Sequence, residues 1–322
     1  MPAAAVPEAD GSDAARIPAL TAALVAGLAT SLQSRMNGEL AVITGVPIEA
    51  GLVSFLGGLA LLTVLLVLPA VRRGMGRVVE AVRDGSLKWY QCIGGFIGGI
   101  FVVNQTLAVP LLGIALFTVG TVAGQTANGL LVDRFGIGPG GPKPIQGLRV
   151  AAALLALFGV VVSVSGALEG SAGVVVPMIT TVLIGAGIAV QQGTNGRVTV
   201  ASRNVFSTTW INFFFGSVLM VAVAAWEFGT GRVHYVSMAG APWWTFLGGV
   251  MGIVVIATAA WAVRHLGVLV FGLALLLGQL ASALALDLIN PAARDSVTPT
   301  VIAGVLITLV AAVLAGRPPK SR

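Results

Sequence analysis

The sequence predicts an all-α membrane protein with ten transmembrane helices, arranged as two five-helix repeats of inverted topology. Of its 322 residues, 57% are hydrophobic and only 9% are charged, whereas about a quarter of the residues of a soluble domain are charged. A membrane-spanning helix needs about 20 predominantly apolar residues, so the chain has room for about ten such helices joined by short connections. This composition excludes an ordinary soluble enzyme.

Windows of about 20 apolar residues place the individual spans. They are 17–36, 50–70, 89–109, 113–133, 147–164, 174–192, 205–226, 243–263, 267–287 and 297–315. Spans 3 and 4 are separated only by residues 110–112, and spans 8 and 9 only by residues 264–266, so each pair is predicted to form a tight antiparallel hairpin. The domain prediction is a disordered cytoplasmic tail at 1–16, repeats at 17–167 and 168–316, and a second cytoplasmic tail at 317–322.

The distribution of basic residues orients the spans. With ten spans both termini lie on one side, and 15 of the 18 Lys and Arg residues fall on that side. The other side has only Arg35, Arg232 and Arg294. The positive-inside rule then places both termini in the cytoplasm. Because the basic residues stand between apolar runs, the net charge of +6 does not indicate a nucleic-acid partner.

The two halves of the chain match at a constant offset. Six residues recur 158 positions later: Gly27, Gln33, Asn37, Gly38, Phe55 and Gly58 correspond to Gly185, Gln191, Asn195, Gly196, Phe213 and Gly216. Eight more recur 154 positions later: Trp89, Gly94, Gly98, Gly113, Phe117, Gly124, Gln125 and Asp133 correspond to Trp243, Gly248, Gly252, Gly267, Phe271, Gly278, Gln279 and Asp287. Each repeat has five helices, an odd number, so the second repeat is inverted, an arrangement typical of secondary transporters.

Several segments also carry a family resemblance. The runs AGLATSLQSRMNGELA, FLGG, LAVPLLGIALF and VAGQTANGLLVDRFG, with GAGIAVQQGTNGRV and GLALLLGQLASALALD in the second half, resemble the YdcZ-like inner-membrane exporters of the drug/metabolite transporter superfamily. The resemblance covers residues 17–316 and implies a ten-helix bacterial inner-membrane transporter, with export as its direction. Helix 1 lacks the membrane-embedded glutamate of the small multidrug-resistance branch.

The polar residues inside the spans are neutral amides and hydroxyls, which must face protein or a water-filled cavity because hydrocarbon offers no hydrogen bonds. Gln125 and Gln279 each stand near the middle of a span, in equivalent positions of the two repeats, and are the leading substrate-binding candidates. The alternative is that each only binds a neighbouring helix. The other substrate-binding candidates are Asn104, Asn212, Trp210 and Phe213, the two aromatics having lipid contact or packing as alternatives.

Two repeat-related pairs are candidate gates. Gln33 and Asn37 are four residues apart, as are Gln191 and Asn195, so each pair lies on one helical face. The first pair lies towards the outer surface and the second towards the cytoplasm. They are predicted to form matched gates at the two ends of one pathway; the alternative is that Asn and Gly end each helix as a C-cap.

The acidic residues fall in tails, loops or span ends, including Glu39, Glu49, Asp133 and Asp287. At these positions water is expected to keep a carboxylate ionised. Transport is therefore predicted not to depend on a carboxylate at the middle of the membrane.

The sequence thus predicts a secondary transporter for a small organic metabolite that works by alternating access. A flippase for a lipid or lipid-linked head group is the alternative within transport, and a membrane sensor or assembly protein is the alternative from another class. The sequence predicts no enzyme, cofactor, metal site or nucleic-acid partner. The predicted partners are a small-molecule substrate and membrane lipids, with a homodimer left open.

Overall fold

A computed structural model describes residues 13–142, 144–168 and 172–315. Within them the chain forms nine helices, joined by short turns and single 3-10 turns. They are α1 Asp13–Thr44, α2 Pro47–Val64, α3 Pro69–Arg83, α4 Gly95–Arg134, α5 Gly147–Leu168, α6 Val175–Ser202, α7 Val205–Gly229, α8 Gly248–Ile289 and α9 Pro299–Ala315. Apart from Asp13–Arg16, which begin α1, the predicted tails 1–16 and 317–322 lie outside the described residues.

Six described segments are long and apolar enough to cross a membrane. They are Ile17–Thr44, Pro47–Val67, Trp89–Arg134, Gly147–Ser165, Val175–Ser202 and Val205–Gly229. Three shorter apolar helices follow at Trp243–Ile256, Ala274–Ile289 and Pro299–Leu314. The 46-residue segment Trp89–Arg134 is about twice the length of a single span,.

Helix α4 is a hairpin rather than one straight rod. Its direction changes at Gly113, where φ is 76°, a conformation that only glycine adopts without strain. Asn104, before the turn, donates to the hydroxyl of Thr181 at 2.9 Å, and Gly120, after it, packs against the same threonine. Both arms of α4 therefore lie along α6. The turn directly follows the predicted position at 110–112.

Helix α8 reverses in the same way. Gly252 packs beside the side chain of Gln33, and Ser282 hydrogen bonds to Ser31 at 3.0 Å, so two positions 30 residues apart reach the same level of α1. In a straight helix they would be about 45 Å apart. The predicted turn at 264–266 falls on residues whose side chains lie outside those described.

The contacts of the two repeats mirror each other. Phe55 packs on Gly216 of α7, and the equivalent Phe213 packs on Gly58 of α2. The backbone of α1 at Leu24 lies against Gly278, just as that of α6 at Val182 lies against Gly124. The first helix of each repeat thus packs against the hairpin of the other repeat. Residues that match in sequence at offsets of 158 and 154 make equivalent contacts in the structure.

Helix α3 lies between the predicted spans 50–70 and 89–109, where no helix is predicted. It is amphipathic: Val71, Gly74 and Val78 are buried, and its arginines are mostly exposed. Val71 O accepts from the hydroxyl of Ser207 at 2.9 Å, and Arg77 donates to Ser202 O at 2.7 Å. The helix therefore rests on the junction of α6 and α7. We call this side of the molecule the α3 end and the other side the opposite end.

Asp287 closes the opposite end of the α4 hairpin. Its carboxylate accepts from the backbone N–H groups of Ile114 at 3.1 Å and Ala115 at 2.6 Å, the first residues of the second arm. These N–H groups have no partner within the helix, and a carboxylate there also interacts favourably with the helix dipole. The residue from one repeat thereby fixes the turn of the other.

We expect Gly113→Ala to lower the free energy of unfolding by about 1–2 kcal/mol, because an L-residue is strained at positive φ. A Cβ there would also stand 3.0 Å from the Asp287 carboxylate. The apparent Tm in detergent, followed by tryptophan fluorescence, measures the loss. Gly129→Ala in the same arm is the control, since an added Cβ meets nothing within 4 Å. An equal or higher Tm for Gly113→Ala would contradict the strained turn.

Candidate transport pathway

A cavity of about 530 Å³ lies at the α3 end between α4, α5, α6, α8, α9 and the segment that joins α4 to α5. We call it the vestibule. It is lined by Gln125, Thr126, Gly129, Leu130, Val132, Asp133, Gly138, Pro139, Gly140, Gly141, Arg149, Ala189, Gln192, Gly193, Leu276 and Ala312. Because Pro139, Gly140 and Gln192 are exposed, the vestibule opens to the surface at this end.

The segment between α4 and α5 covers one side of the vestibule and is fixed by two arginines. Arg197 of α6 donates to the carbonyls of Ile137 at 2.7 Å and Gly136 at 2.6 Å. Arg149 at the start of α5 forms an ion pair with Asp133 at 2.6 Å. The charge of each member of this ion pair is therefore compensated by the other at the rim of the cavity.

A second cavity of about 190 Å³ lies at the same end, between α6, α7 and α8 and beside the α6–α7 junction. We call it the inner pocket. It is lined by Gln192, Asn195, Gly196, Thr199, Val205, Thr208, Thr209, Asn212 and Ile256. Gln192 lines both cavities, so the inner pocket adjoins the vestibule. Six of its nine lining residues have an amide or hydroxyl side chain, but most of the surface that faces this cavity is apolar.

At the opposite end the equivalent residues are packed together. Asn37, the repeat equivalent of Asn195, is 1% exposed and donates to Gln105 Oε1 at 2.6 Å. Gln105 in turn donates to Ser34 Oγ at 2.8 Å, and it is fully buried. Asn37 also lies beside Gly248, as Asn195 lies beside the equivalent Gly94, so this contact is common to both ends. The two hydrogen bonds hold α1 against α4.

Asn37 and Asn195 do not act as C-caps. Helix α1 continues to Thr44 and α6 to Ser202, so each asparagine lies seven residues before the end of its helix. Gln33 and Gln191 stand one turn earlier and pack beside Gly252 and Gly98 respectively. The C-cap alternative is therefore wrong, and the two pairs lie at opposite ends of the molecule on their respective helices.

Gln125 and Gln279 occupy different surroundings. Gln125 lines the vestibule. Gln279 is buried against α1, where its backbone carbonyl accepts from Ser31 at 2.9 Å, and the described linings of the two cavities do not include it. One of the two predicted mid-span glutamines therefore lines the vestibule, and the other lies at a helix contact.

Of the remaining substrate-binding candidates, one lines a cavity and three lie at helix contacts. Asn212 lines the inner pocket. Asn104 bonds to α6 through both amide atoms, accepting from Thr180 at 2.9 Å as well as donating to Thr181. The indole of Trp210 donates to Thr63 at 3.0 Å, and Phe213 packs on Phe55 with ring centroids 5.3 Å apart. These three side chains serve helix packing in this conformation.

Sequence reasoning missed two features of the structure. Thr208 and Thr209 line the inner pocket; their nearness to Asn212 on one helix was the available signal. Glu49 and Asp287, expected near water, are 2% and 1% exposed. The expectation of solvated carboxylates is wrong at both positions because the segment after α7 covers Glu49 and the α4 turn covers Asp287. Among the described residues no group of His, Cys, Asp and Glu could hold a metal ion.

The apolar helices and the mirrored contacts define a multi-pass membrane protein built from two repeats. A family model with the description "Putative inner membrane exporter, YdcZ" matches residues 18–162 and 176–314, one match for each repeat. The chain belongs to this family, and so to a class of inner-membrane transport proteins. Comparison with curated proteins and with solved structures gave no match.

We expect Asn37→Ala to destabilise the protein by about 1–3 kcal/mol, because it leaves Gln105 Oε1 buried without its donor. The equivalent Asn195→Ala, which removes a cavity-lining amide, should change stability by no more than about 0.5 kcal/mol. Apparent Tm values of the two variants in one detergent make the comparison. Equal losses would show that the two ends are packed alike.

Proposed function

We propose that the protein is a secondary transporter that moves a small polar solute across the bacterial inner membrane by alternating access. In this proposal the described conformation is open to the cytoplasm and closed to the outside. The observation that carries the proposal is the unequal environment of repeat-equivalent residues: Asn37 is buried and hydrogen bonded, whereas Asn195 lines a cavity that adjoins the vestibule. Exchange of the two environments would open the other end.

The proposed topology has ten crossings. Helices α1, α2, α5, α6, α7 and α9 each cross once, the two arms of α4 and of α8 each cross once, and α3 lies at the membrane surface. Because each repeat then has five crossings, the second repeat is inverted. Exposed basic residues of α3 and the segment after it, namely Arg72, Arg73, Arg83 and Lys88, support a cytoplasmic α3 end. The family description supports export as the direction.

The closed end contains an amide that only one repeat possesses. Gln105 bridges Asn37 and Ser34, but the residue 154 positions later is Ala259. The cytoplasmic end therefore lacks the equivalent glutamine beside Asn195. We infer that Gln105 is a latch that favours the outward-closed conformation. Interhelical hydrogen bonds in membranes average about 0.6 kcal/mol, so two of them bias the equilibrium by about 1 kcal/mol.

A sensor or assembly protein and a flippase each require structural features that a solute transporter does not. A sensor or assembly protein would be favoured by polar residues confined to isolated helix contacts without a cavity, whereas Gln125, Gln192, Asn195 and Asn212 line two adjoining cavities. A flippase needs a polar groove open sideways to lipid. The vestibule is surrounded by five helices and a covering segment, which fits a solute that enters from the aqueous side.

The topology predicts the side from which single cysteines react. In a Cys92→Ser background, His234→Cys should react with a membrane-impermeant maleimide in spheroplasts, and Gly76→Cys should react only after permeabilisation. Both positions are exposed, so the membrane alone should distinguish them. Labelling of Gly76→Cys in intact spheroplasts would reverse the orientation.

Alternating access predicts that Gln105→Ala opens the closed end. Ser54→Cys, a buried reporter beside Gly248, should react about fivefold faster from outside in the Gln105→Ala background, which corresponds to a bias of about 1 kcal/mol. Thr106→Val is the control, because the hydroxyl of Thr106 bonds only within its own helix, to Val103 O at 2.9 Å.

A second reporter separates gating from general loosening. Asn195→Cys, probed from the cytoplasmic side in inverted vesicles, should react no faster in the Gln105→Ala background. Faster labelling at both ends would indicate a loosened fold, and unchanged labelling of Ser54→Cys would show that Gln105 is not a latch. Either result would count against the proposed mechanism.

A further inference from the structure

We propose that α3 is a lipid-binding helix whose outer face binds the phosphate head groups of anionic glycerophospholipids in the cytoplasmic leaflet. The proposal goes beyond transport and rests only on the placement of α3 at the membrane surface in the proposed topology. Three observations carry it: the depth at which α3 lies, the composition of its outer face, and the different form of the equivalent connection in the second repeat.

The ends of α3 fix its depth. The helix has 15 residues and begins at Pro69, two residues after the end of the apolar segment Pro47–Val67. The next apolar segment begins at Trp89. Trp89 and Tyr90 are both exposed, and such aromatic residues are typical of the boundary between hydrocarbon and water. Because both ends of α3 are joined to span ends and its buried face rests on the α6–α7 junction, the helix lies along this boundary.

Contacts with the transmembrane helices determine which face of α3 points outwards. Val71 and Gly74 are buried, and Val71 O accepts from the hydroxyl of Ser207. Arg77 donates to Ser202 O from the same helix. These contacts hold α3 in one orientation, so its opposite face is presented to the surroundings.

The outer face of α3 combines arginines with an exposed apolar side chain. Arg72, Val79 and Arg83 are separated by seven and four residues, so they lie on one stripe of the helix. Both arginines are exposed, and Val79 is 48% exposed. Arg73 is also exposed. An apolar side chain between guanidinium groups suits the interface, because the apolar group can enter the acyl region while the cations reach the phosphates.

The three exposed arginines of this face are available to phosphate. Within the described part of the chain, their guanidinium groups make no hydrogen bond or ion pair. Residues 69–88 contain five basic and two acidic side chains, a net charge of +3, and the acids are Glu80 and Asp84. A guanidinium group binds phosphate through parallel hydrogen bonds. A group of basic residues on an amphipathic helix beside a span end is typical of binding to anionic lipid.

The equivalent connection of the second repeat has a different form. Residues 230–242, between α7 and the turn that begins at Trp243, contain no helix. Arg232 is their only Lys or Arg, and its guanidinium carbon lies 4.1 Å from the centroid of the Trp226 ring. A connection between these spans therefore does not need a basic helix. The outer face of α3 thus has a role beyond joining α2 to α4.

Native mass spectrometry of the purified protein in a non-ionic detergent tests the proposal. Dioleoyl phosphatidylglycerol is the anionic probe, and dioleoyl phosphatidylcholine has the same acyl chains with a zwitterionic head group. We expect the first molecule of phosphatidylglycerol to bind more tightly than phosphatidylcholine. In Arg72→Gln/Arg83→Gln its dissociation constant should rise about 25-fold, because each basic residue near an anionic surface strengthens binding about fivefold.

The matched control is Arg232→Gln/Arg294→Gln, which removes the same charge at the opposite end. Both guanidinium groups there already have partners, since Arg232 stacks on Trp226 and Arg294 donates to Leu288 O at 3.0 Å. This variant should retain the preference for phosphatidylglycerol. Monodispersity on size-exclusion chromatography verifies that both variants are folded.

Three results would overturn the proposal. They are equal affinity of the unchanged protein for the two lipids, the same loss of preference in both variants, and displacement of phosphatidylglycerol by millimolar glycerol 3-phosphate, which would indicate a site for a soluble anion. None of them bears on alternating access, which the labelling of Ser54→Cys tests separately. Labelling of Gly76→Cys in intact spheroplasts would instead overturn the assignment of the lipid site to the cytoplasmic leaflet.

Discussion

The exchange of first helices between the repeats is the arrangement on which the rest of the structure depends. Helix α1 lies along both arms of α8, and α6 lies along both arms of α4. Between apolar helices in lipid, association depends on close packing because there is no hydrophobic driving force. Glycine residues allow the close approach of the helices here, since Gly124 contacts the backbone of α6 and Gly278 contacts the backbone of α1. Neither hairpin can therefore move without the first helix of the other repeat.

This coupling makes small differences between the repeats decisive. If the two halves were identical, the two exchanged conformations would have equal free energy, and neither end would be preferred. The chain departs from identity at Gln105, which matches Ala259, and at Asn212, which matches Ser54. In the proposed mechanism, the first difference adds hydrogen bonds to the outer end, and the second adds an amide to the cytoplasmic end. A bias of about 1 kcal/mol is enough to make one conformation several times more populated than the other.

The architecture could be predicted from the sequence more completely than the candidate site. The offsets of 158 and 154 predict that contacts between the two repeats occur in equivalent pairs. The contact of Phe55 with Gly216 accordingly has a counterpart in the contact of Phe213 with Gly58. Helix α3 was missed because a window of about 20 apolar residues averages out a 15-residue amphipathic helix. Asn195 and Asn212 do meet in one pocket, but Asn104 bonds to α6. Hydropathy gives the depth of a polar residue and not the helix that it faces.

Hydropathy also gave the wrong surroundings for two acidic residues at the opposite end. Position at the end of a span indicated water around Glu49 and Asp287, yet neighbouring segments bury both. Glu49 accepts from Val236 N–H at 3.0 Å, and Asp287 accepts from the turn of α4, so carboxylates bind free backbone N–H groups at the opposite end.

Arginines perform the complementary role at the α3 end. Arg197 and Arg77 donate to carbonyls that helix ends and turns leave free, as expected because helix C-termini expose carbonyls and attract cations. The two signs of charge are not strictly separated, since Arg294 donates to Leu288 O at the opposite end and Asp84 accepts from Ser86 N–H at the α3 end. Arg77 and Arg197 belong to the basic residues from which the orientation is proposed, and they also bind backbone carbonyls at helix ends and turns. Substitution of either is therefore expected to alter both the charge asymmetry and the packing of this end.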